Sequence, residues 1–278
     1  MKTGADISHH QETFDAKRYK DSGESFVILK ATDAKDGKLF TDPTFAARWK
    51  DAGRHRLPRG AYHFARPSHP VRAQADHFLE VVQAAGFHAG DTWALDLEHD
   101  EGQGPGRLVD WADRWIAQVR AELGGVGLFY SRPGFITGEM GRPDHIPGGA
   151  LTWMARYNKD VLSPWQGLQR PAAFPDPPAV WQRTDGKNGR TKSVASVGLC
   201  DYNEMTDAAF GQLFGGDDLT QDELLEALGS PQGMNILRKV ILSRPGDDGD
   251  AGSLFSKIAD IQKDTDAIKA SLEREGTN

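Results

Sequence analysis

Eight short apolar segments between residues 3 and 204 constrain the fold of this chain more than any other feature. The predicted strands span residues 4–8, 26–32, 60–65, 93–98, 126–131, 151–157, 180–184 and 197–203. Helical periodicity separates several of the early ones, at residues 45–52, 71–82 and 108–123. Alternating strands and helices indicate a parallel sheet, and eight strands indicate a closed barrel. Because helical periodicity is thin after residue 131, we predict an α/β fold: an irregular TIM-like (β/α) barrel with incomplete outer helices.

The fourth segment ends in two carboxylates, Asp96 and Glu98. Side chains alternate along a strand, so these two point the same way and lie roughly 7 Å apart at about 3.3 Å per residue. Glycoside hydrolysis uses such a pair, because one carboxyl protonates the leaving oxygen while a second group stabilises or attacks the cationic sugar carbon. The alternative is structural, with both acids capping the strand and binding water or arginine. The residues at the ends of the other predicted strands distinguish between the catalytic and the structural interpretation.

Polar and aromatic side chains also collect at the ends of the other predicted strands. In an α/β barrel, the carboxyl ends of the strands form the face that carries active sites. Asp6 ends the first strand and Asp201 belongs to the eighth, so four carboxylates would face one cleft. Aromatic rings stack on sugar faces, and amides bind hydroxyl and acetamido groups, so the expected ligand is a carbohydrate. The expected substrate-binding residues are Tyr62, Phe64, Tyr130, Trp153, Tyr157, Gln182 and Asn203.

The histidines and the cysteine do not indicate a metal centre. His9, His10 and His99 lack the tight, repeated spacing of metal ligands. His63 is expected to face away from the cleft and to pack. Cys200 is the only cysteine, so no disulfide forms within the chain. We therefore expect neither a metal nor a cofactor.

Charge and hydropathy argue against two further classes of partner. The formal net charge is -7, and the sequence lacks the basic stripe of a nucleic-acid-binding surface. No segment approaches the ~20 apolar residues of a membrane-spanning helix. The first residues also lack the apolar core of a signal peptide. We expect no nucleic-acid partner, no membrane insertion and no signal peptide.

Seven motifs, taken together, resemble glycoside hydrolase family 25, the muramidase family of phage endolysins and bacterial autolysins. They follow one another in family order from residue 4 to about residue 206. The combination is more specific than any one motif. The motifs are Asp6-Ile7-Ser8-His9-His10-Gln11, Val27-Ile28-Leu29-Lys30-Ala31-Thr32, Gly60-Ala61-Tyr62-His63-Phe64-Ala65-Arg66-Pro67, Ala94-Leu95-Asp96-Leu97-Glu98, Trp153-Met154-Ala155-Arg156-Tyr157, Val180-Trp181-Gln182 and Asp201-Tyr202-Asn203.

The resemblance implies a catalytic role for each of the four carboxylates. Glu98 would be the general acid that protonates the glycosidic oxygen. Asp96 would orient the N-acetyl group of muramic acid or stabilise positive charge at the anomeric carbon. Asp6 and Asp201 would hold this pair by hydrogen bonds and tune its proton affinity. The nucleophile is either the acetamido oxygen of the substrate or a water molecule, and the ~7 Å spacing fits both better than a glycosyl intermediate on the protein.

Two positions depart from the family pattern. Asp33-Ala34 follows the Lys-Ala-Thr run where the family usually has Glu-Gly, and the shorter carboxylate is expected to change a peripheral contact. Arg183 stands where an aromatic residue often follows Trp-Gln. Neither departure touches the four carboxylates.

Beyond the barrel domain (residues 1–214), the sequence changes character. Residues 215–250 read as a linker and short helices, opened by a capping-box pattern at Thr220. Residues 251–278 form an amphipathic heptad seam of Leu254, Ile258, Ile261, Thr265, Ile268 and Leu272. The seam favours a homo-oligomer, and the alternatives are docking on the barrel or an unassociated helix.

These observations predict a peptidoglycan N-acetylmuramidase, a lysozyme that hydrolyses the β-1,4 bond between N-acetylmuramic acid and N-acetylglucosamine. The expected setting is a phage endolysin, made in the host cytoplasm without a signal peptide and acting on the cell wall after release. The alternatives are a non-catalytic glycan-binding protein, a virion assembly protein on the same barrel, and a metal-dependent barrel hydrolase.

Overall fold

The computed structural model describes residues 1–157 and 160–215, and in it eight strands close into a barrel, as predicted. Each strand pairs with the next around the ring, in the order β1-β8-β7-β6-β5-β4-β3-β2, and a further pairing of β1 with β2 closes it. The strands are β1 Lys2–Ile7, β2 Phe26–Asp33, β3 Arg59–Phe64, β4 Thr92–Asp96, β5 Leu128–Ser131, β6 Leu151–Ala155, β7 Val180–Asp185 and β8 Asp201–Met205.

The eighth strand differs from its prediction in both its bounds and its direction. Seven strands are parallel, whereas β8 runs antiparallel to β1 and to β7. No helix crosses over between β7 and β8, and a small hairpin of Ser193–Val194 with Gly198–Leu199 lies there instead. Parallel neighbours need a long crossover connection, usually a helix, so β8, which follows a connection without one, runs antiparallel to β7. Asp201 therefore begins its strand, yet still pairs with Asp6 at the carboxyl end of β1.

The outer helices are incomplete, as expected from the sequence. They are α1 Ala16–Asp21, α2 Phe45–Arg54, α3 Val71–Ala84, α4 Pro105–Leu123, α5 Pro133–Thr137 and α6 Asp207–Phe214. The longest, α4, begins with Pro105 at its first position and ends at Leu123, directly before Gly124, which has a positive φ of 71°. These are the usual start and stop residues of a helix. Between β6 and β8, the residues that the structure describes contain no α-helix.

Two apolar layers stabilise the barrel. Alternate side chains of each strand point inward, so Phe26 and Ile28 of β2 belong to the barrel interior. Val27 and Leu29 belong to the layer between strands and helices. His63 belongs on this outer side too, as expected. Its ring stacks on Trp115 with 5.4 Å between centroids, and burial lowers its pKa to about 4.

The segment between α4 and β5 depends on one glycine, which gives a prediction about stability. Gly127 has a φ of +65°, and an added Cβ would lie 2.2 Å from Cζ3 of the buried Trp93 ring. Gly124 has a similar φ of +71° but open space around its Cα. We expect Gly127→Ala to lower the free energy of unfolding by about 2–5 kcal/mol, from backbone strain plus overpacking. Gly124→Ala should cost only about 1–2 kcal/mol, from strain alone. Urea unfolding measures both, and equal losses would rule out the clash.

The predicted linker and short helices (residues 215–250) and the heptad helix (residues 251–278) lie outside the described residues after residue 215. Within the described part of the chain, no helix is both long enough and apolar enough to cross a membrane.

Candidate active site

The structure brings the four predicted carboxylates to one end of the barrel. Asp6 lies one residue before the end of β1, and Asp96 is the last residue of β4. Asp201 starts the antiparallel β8 and is paired with Asp6. Glu98 follows β4 by two residues. The site thus forms at the carboxyl ends of the parallel strands, where active sites of α/β barrels lie.

Glu98 is held next to β5 although the regular strand ends earlier than predicted, at Asp96. The N–H of Leu97 donates to the carbonyl of Tyr130 at 3.1 Å, and Ser131 Oγ donates to the carbonyl of Leu97 at 2.7 Å. Leu97 is buried in the outer layer. The alternation of faces therefore continues past Asp96, and Glu98 falls on the same face as Asp96.

Asp96 is a buried acid with an unsatisfied oxygen. It is 7% exposed, and its Oδ1 has no hydrogen-bond partner among the described residues. Burial raises its pKa well above the usual value, and the charge of Glu98 raises it further, while Lys30 acts in the opposite direction. An unpaired carboxyl oxygen at a cleft costs free energy in the folded state. Such an oxygen is suited to accept or donate a hydrogen bond once a ligand is bound.

Asp6 lies in a network of side-chain hydrogen bonds inside the barrel. Its Oδ1 accepts from Gln182 Nε2 at 2.8 Å and from Asn203 Nδ2 at 2.7 Å. Gln182 Oε1 accepts from the hydroxyls of Tyr130, at 3.0 Å, and Tyr157, at 2.6 Å. Five of the residues that the sequence assigns to the cleft are therefore directly connected.

Burial and neighbouring charge separate the proton affinities of Asp6 and Asp201. Burial raises the pKa of Asp6 to about 6, against hydrogen bonds from Asn203 and Gln182 that lower it. Burial also raises the pKa of Asp201, to about 8, and the charge of Asp6 adds to that increase. The acid with amide donors thus loses its proton first.

The seven predicted substrate-binding residues divide into two groups by exposure. Tyr62, Phe64 and Tyr157 are partly exposed. Tyr130, Trp153, Gln182 and Asn203 are buried, and Trp153 Nε1 donates to Asn203 Oδ1 at 2.7 Å. Contact with substrate stays a prediction for all seven. The buried four already hydrogen-bond to one another or to Asp6.

Charged residues surround the Phe64 ring at the edge of the site. The cationic groups of Lys30 and Arg66 lie 4.7 Å and 4.5 Å from its centroid. Both also bind Asp33, the residue that departs from the family pattern, at 2.9 Å. Burial alone would raise the pKa of Asp33, but hydrogen bonds from Arg66 and Lys30 bring it below the usual value. The short carboxylate thus ties β2 to the loop after β3.

Arg132 is a residue of this site that the sequence reasoning missed. Its Nε lies 3.8 Å from Glu98 Oε2, and its Nη2 donates to the Glu98 carbonyl at 3.1 Å. It directly follows Ser131, the last residue of β5, and a search for charged residues just after each strand would have found it. The other departure from the pattern, Arg183, lies 3.4 Å from the centroid of the Trp181 ring and is paired with Glu204.

The histidines considered as metal ligands lie in other arrangements. His9 Nδ1 is 2.7 Å from Asp42 Oδ2, and the ring of His99 lies beside Phe64. Among the described residues, no group of three or more His, Cys, Asp or Glu side chains is arranged to hold a metal ion.

Comparison with known proteins gives one family. The model of glycosyl hydrolases family 25 matches residues 5–190. An N,O-diacetylmuramidase from Arthroderma benhamiae is 30% identical over 139 residues, which are 47% of this chain and 57% of that protein. The chain thus spans little more than half the length of this curated relative.

Solved structures show the same fold at lower identity. A bacterial lysozyme from Streptomyces coelicolor has a TM-score of 0.65 at 24% identity, over 77% of this chain and 98% of that chain. The catalytic domain of the endolysin ply40, from bacteriophage P40 of Listeria monocytogenes, has a TM-score of 0.59 at 22% identity. That match covers 77% of this chain and 98% of the domain.

Proposed function

This chain belongs to glycosyl hydrolase family 25, and from that membership we propose that it is a peptidoglycan N-acetylmuramidase, a lysozyme. It would hydrolyse the β-1,4 bond between N-acetylmuramic acid and N-acetylglucosamine. The observation that carries the proposal is the group of four carboxylates at one end of the barrel, in which Asp96 has a buried oxygen that forms no hydrogen bond within residues 1–157 and 160–215. A site with several acids of unequal proton affinity suits general acid catalysis of glycoside cleavage.

In this proposal, Glu98 is the general acid. Its side chain is 24% exposed, against 7% for the whole of Asp96, so it is the more accessible member of the central pair. Glu98 gives its proton to the glycosidic oxygen as the bond from that oxygen to the anomeric carbon breaks, and the bonding electrons leave with the oxygen. Asp96 orients the acetamido group or stabilises the positive charge at the anomeric carbon. Asp6 and Asp201 position this pair.

The configuration of the product distinguishes the two possible nucleophiles. Attack by the acetamido oxygen of the substrate followed by water gives retention at the anomeric carbon. Direct attack by water gives inversion. Proton NMR of the first product formed, before mutarotation, measures the outcome.

The test of the proposed function is digestion of purified peptidoglycan by the full chain, with reduced products identified by mass spectrometry. We expect fragments with reduced muramic acid at their ends. Addition of EDTA should leave the rate unchanged, which separates this enzyme from a metal-dependent barrel hydrolase. Glucosamine ends would contradict the bond assignment. Inactivity on several cell walls would favour glycan binding or virion assembly.

We further propose that the protein is a phage endolysin, made in the host cytoplasm and released by a separate membrane-permeabilising protein. Family membership supports this setting, since the fold is shared with an endolysin catalytic domain. Expression with and without such a permeabilising protein tests it, and lysis without the partner would argue against the proposed release route. Association of chains through residues 251–278 belongs to the same proposal, and light scattering on the full chain measures it.

A further inference from the structure

We propose that Tyr130, Gln182 and Asn203 are positioning residues. Tyr130 donates a hydrogen bond to Gln182, Gln182 and Asn203 donate to Asp6, and these bonds hold Asp6 as an ionised acceptor. The inference rests on the proposed muramidase function and goes beyond the assignment of Asp6 to the site. It identifies the residues that determine which of the buried acids, Asp6 or Asp201, carries a proton. It also gives a role to three buried residues that the sequence assigns to substrate binding.

The orientation of the Asn203 amide is fixed by a tryptophan. An indole N–H only donates hydrogen bonds. Trp153 Nε1 lies 2.7 Å from Asn203 Oδ1, so this atom must be the amide oxygen. The amide nitrogen then faces Asp6 Oδ1 at 2.7 Å and donates to it. Asn203 is fully buried, so water does not compete for these bonds.

The orientation of the Gln182 amide follows from Asp6, because the tyrosine hydroxyls beside Gln182 can donate or accept and therefore fit either orientation. Nε2 donates to Asp6 Oδ1 at 2.8 Å, and the hydroxyls of Tyr130 and Tyr157 both donate to Oε1. Reversing the amide would place its oxygen against the carboxylate of Asp6. That contact is repulsive unless Asp6 carries a proton on this oxygen, where Asn203 already donates.

Two N–H donors on one carboxyl oxygen are the hydrogen-bond pattern of a carboxylate. Donors to the charged form favour ionisation, and they oppose the effect of burial on Asp6. The charge on Asp6 then makes ionisation of Asp201, its cross-strand partner, less favourable. The buried amides and phenol thus place the negative charge on Asp6 and the proton on Asp201.

Other titratable groups lie around Asp6, and their charges also contribute to the pH dependence of kcat. Asp201 and Cys200 approach from the start of β8, and Asp96 and Glu98 from the end of β4. Lys30 of β2 acts on Asp96. Burial and, to a smaller extent, the charge of Asp6 also raise the pKa of three nearby tyrosines, Tyr62, Tyr130 and Tyr157.

Because Tyr130, Gln182 and Asn203 are buried, we expect them to affect the reaction through the hydrogen bonds that Gln182 and Asn203 donate to Asp6 and not through contact with the substrate. Tyr130, Gln182 and Asn203 are 6%, 2% and 0% exposed. Their variants should therefore change kcat and its pH dependence more than KM. A residue that binds the substrate equally well in the ground state and the transition state would instead change KM.

The decisive variant is Gln182→Glu, which keeps the shape of the side chain but removes the donor and adds a carboxylate. We expect kcat to fall at least ~10-fold, and the acidic limb of its pH profile to move up by about one pH unit or more, because Asp6 binds its proton more tightly. KM should stay within about 2-fold. Tyr130→Phe removes one donor to Gln182 and should give a smaller shift of the same sign. Gln83→Glu, the same change on the exposed face of α3, is the matched control.

Carbon-13 NMR titration of the Asp6 carboxyl separates failure of this inference from failure of the proposed function. Wild type should titrate near pH 6, and Tyr130→Phe and Gln182→Glu should titrate higher. If wild type does not digest peptidoglycan, the proposed function fails, and the titration still tests the hydrogen-bond set. An unchanged Asp6 titration in both variants overturns the inference. If Gln182→Glu does not fold, the titration of Tyr130→Phe decides alone.

Discussion

Replacement of Glu98 by Gln is expected to reduce turnover on peptidoglycan at least ~100-fold, because an amide keeps the shape of the side chain but cannot protonate the glycosidic oxygen. The fold should be unaffected. Glu98 has few stabilising contacts of its own, since its carboxylate lies 3.8 Å from a half-exposed Arg132 and the closer bond goes to its backbone carbonyl. The measurement is the rate of release of reducing ends under saturating substrate.

A matched control uses the same chemical change far from the cleft. Glu80→Gln lies on the exposed face of α3 and should retain the wild-type rate. Thermal unfolding of both variants shows whether any loss of rate comes from misfolding. Full activity of Glu98→Gln in a folded protein would mean that another acid, with Asp96 as the first to examine, donates the proton.

Asp201→Asn is expected to stabilise the protein at pH 8 while leaving it unchanged at pH 4. Asp201 has a pKa of about 8 in the fold, against an ordinary value of 3.8. A raised carboxyl pKa gives stability that is complete below pH 3.8 and is lost as the pH rises through about 8. Asn does not titrate, so the variant keeps what the wild type loses. We expect the Tm of the variant to exceed that of wild type at pH 8 and to match it at pH 4.

Calorimetry at both pH values checks this prediction. Asp110→Asn, an exposed residue of α4, is the control and should show no such pH-dependent gain. A lower Tm for Asp201→Asn at pH 8 would mean that the ionised carboxylate is stabilised in the fold, with the opposite sign to that expected.

The barrel itself was predictable because its signal is local and repeated. Inward-facing strand residues, such as Ile28, alternate with outward-facing ones, such as Val27. Both kinds are apolar in a barrel with outer helices, so each strand is visible in the sequence as a short apolar segment. The strand-end carboxylates were predictable for the same reason. A residue such as Asp96 follows its apolar strand directly, and the carboxyl ends of parallel strands meet at one face.

The direction of β8 and the hydrogen bonds of Asp6 were not predictable in this way. Whether Asp201 ends or begins a strand depends on the connection from β7, and this loop, with glycines at positions 186, 189 and 198, has no helical periodicity that would predict its course. Gln182 and Asn203 were found as site residues, but their partners depend on side-chain packing between strands distant in the sequence. Arg132 was missed because an arginine after a strand is common and becomes informative only when Glu98 is beside it.

The position of the last strand, between β1 and β7, has a consequence for how the barrel is assembled. Asp6 and its donor Asn203 are separated by 197 positions, and β8 fits between β1 and β7. On the ribosome, β1 emerges first and has no partner on this side until β8 has left the exit tunnel. Neither Asp201 nor the amide of Asn203 can reach Asp6 before then. A nascent chain that has not released β8 therefore lacks the assembled group of four carboxylates, and the proposed active site forms only when synthesis of the barrel is finished.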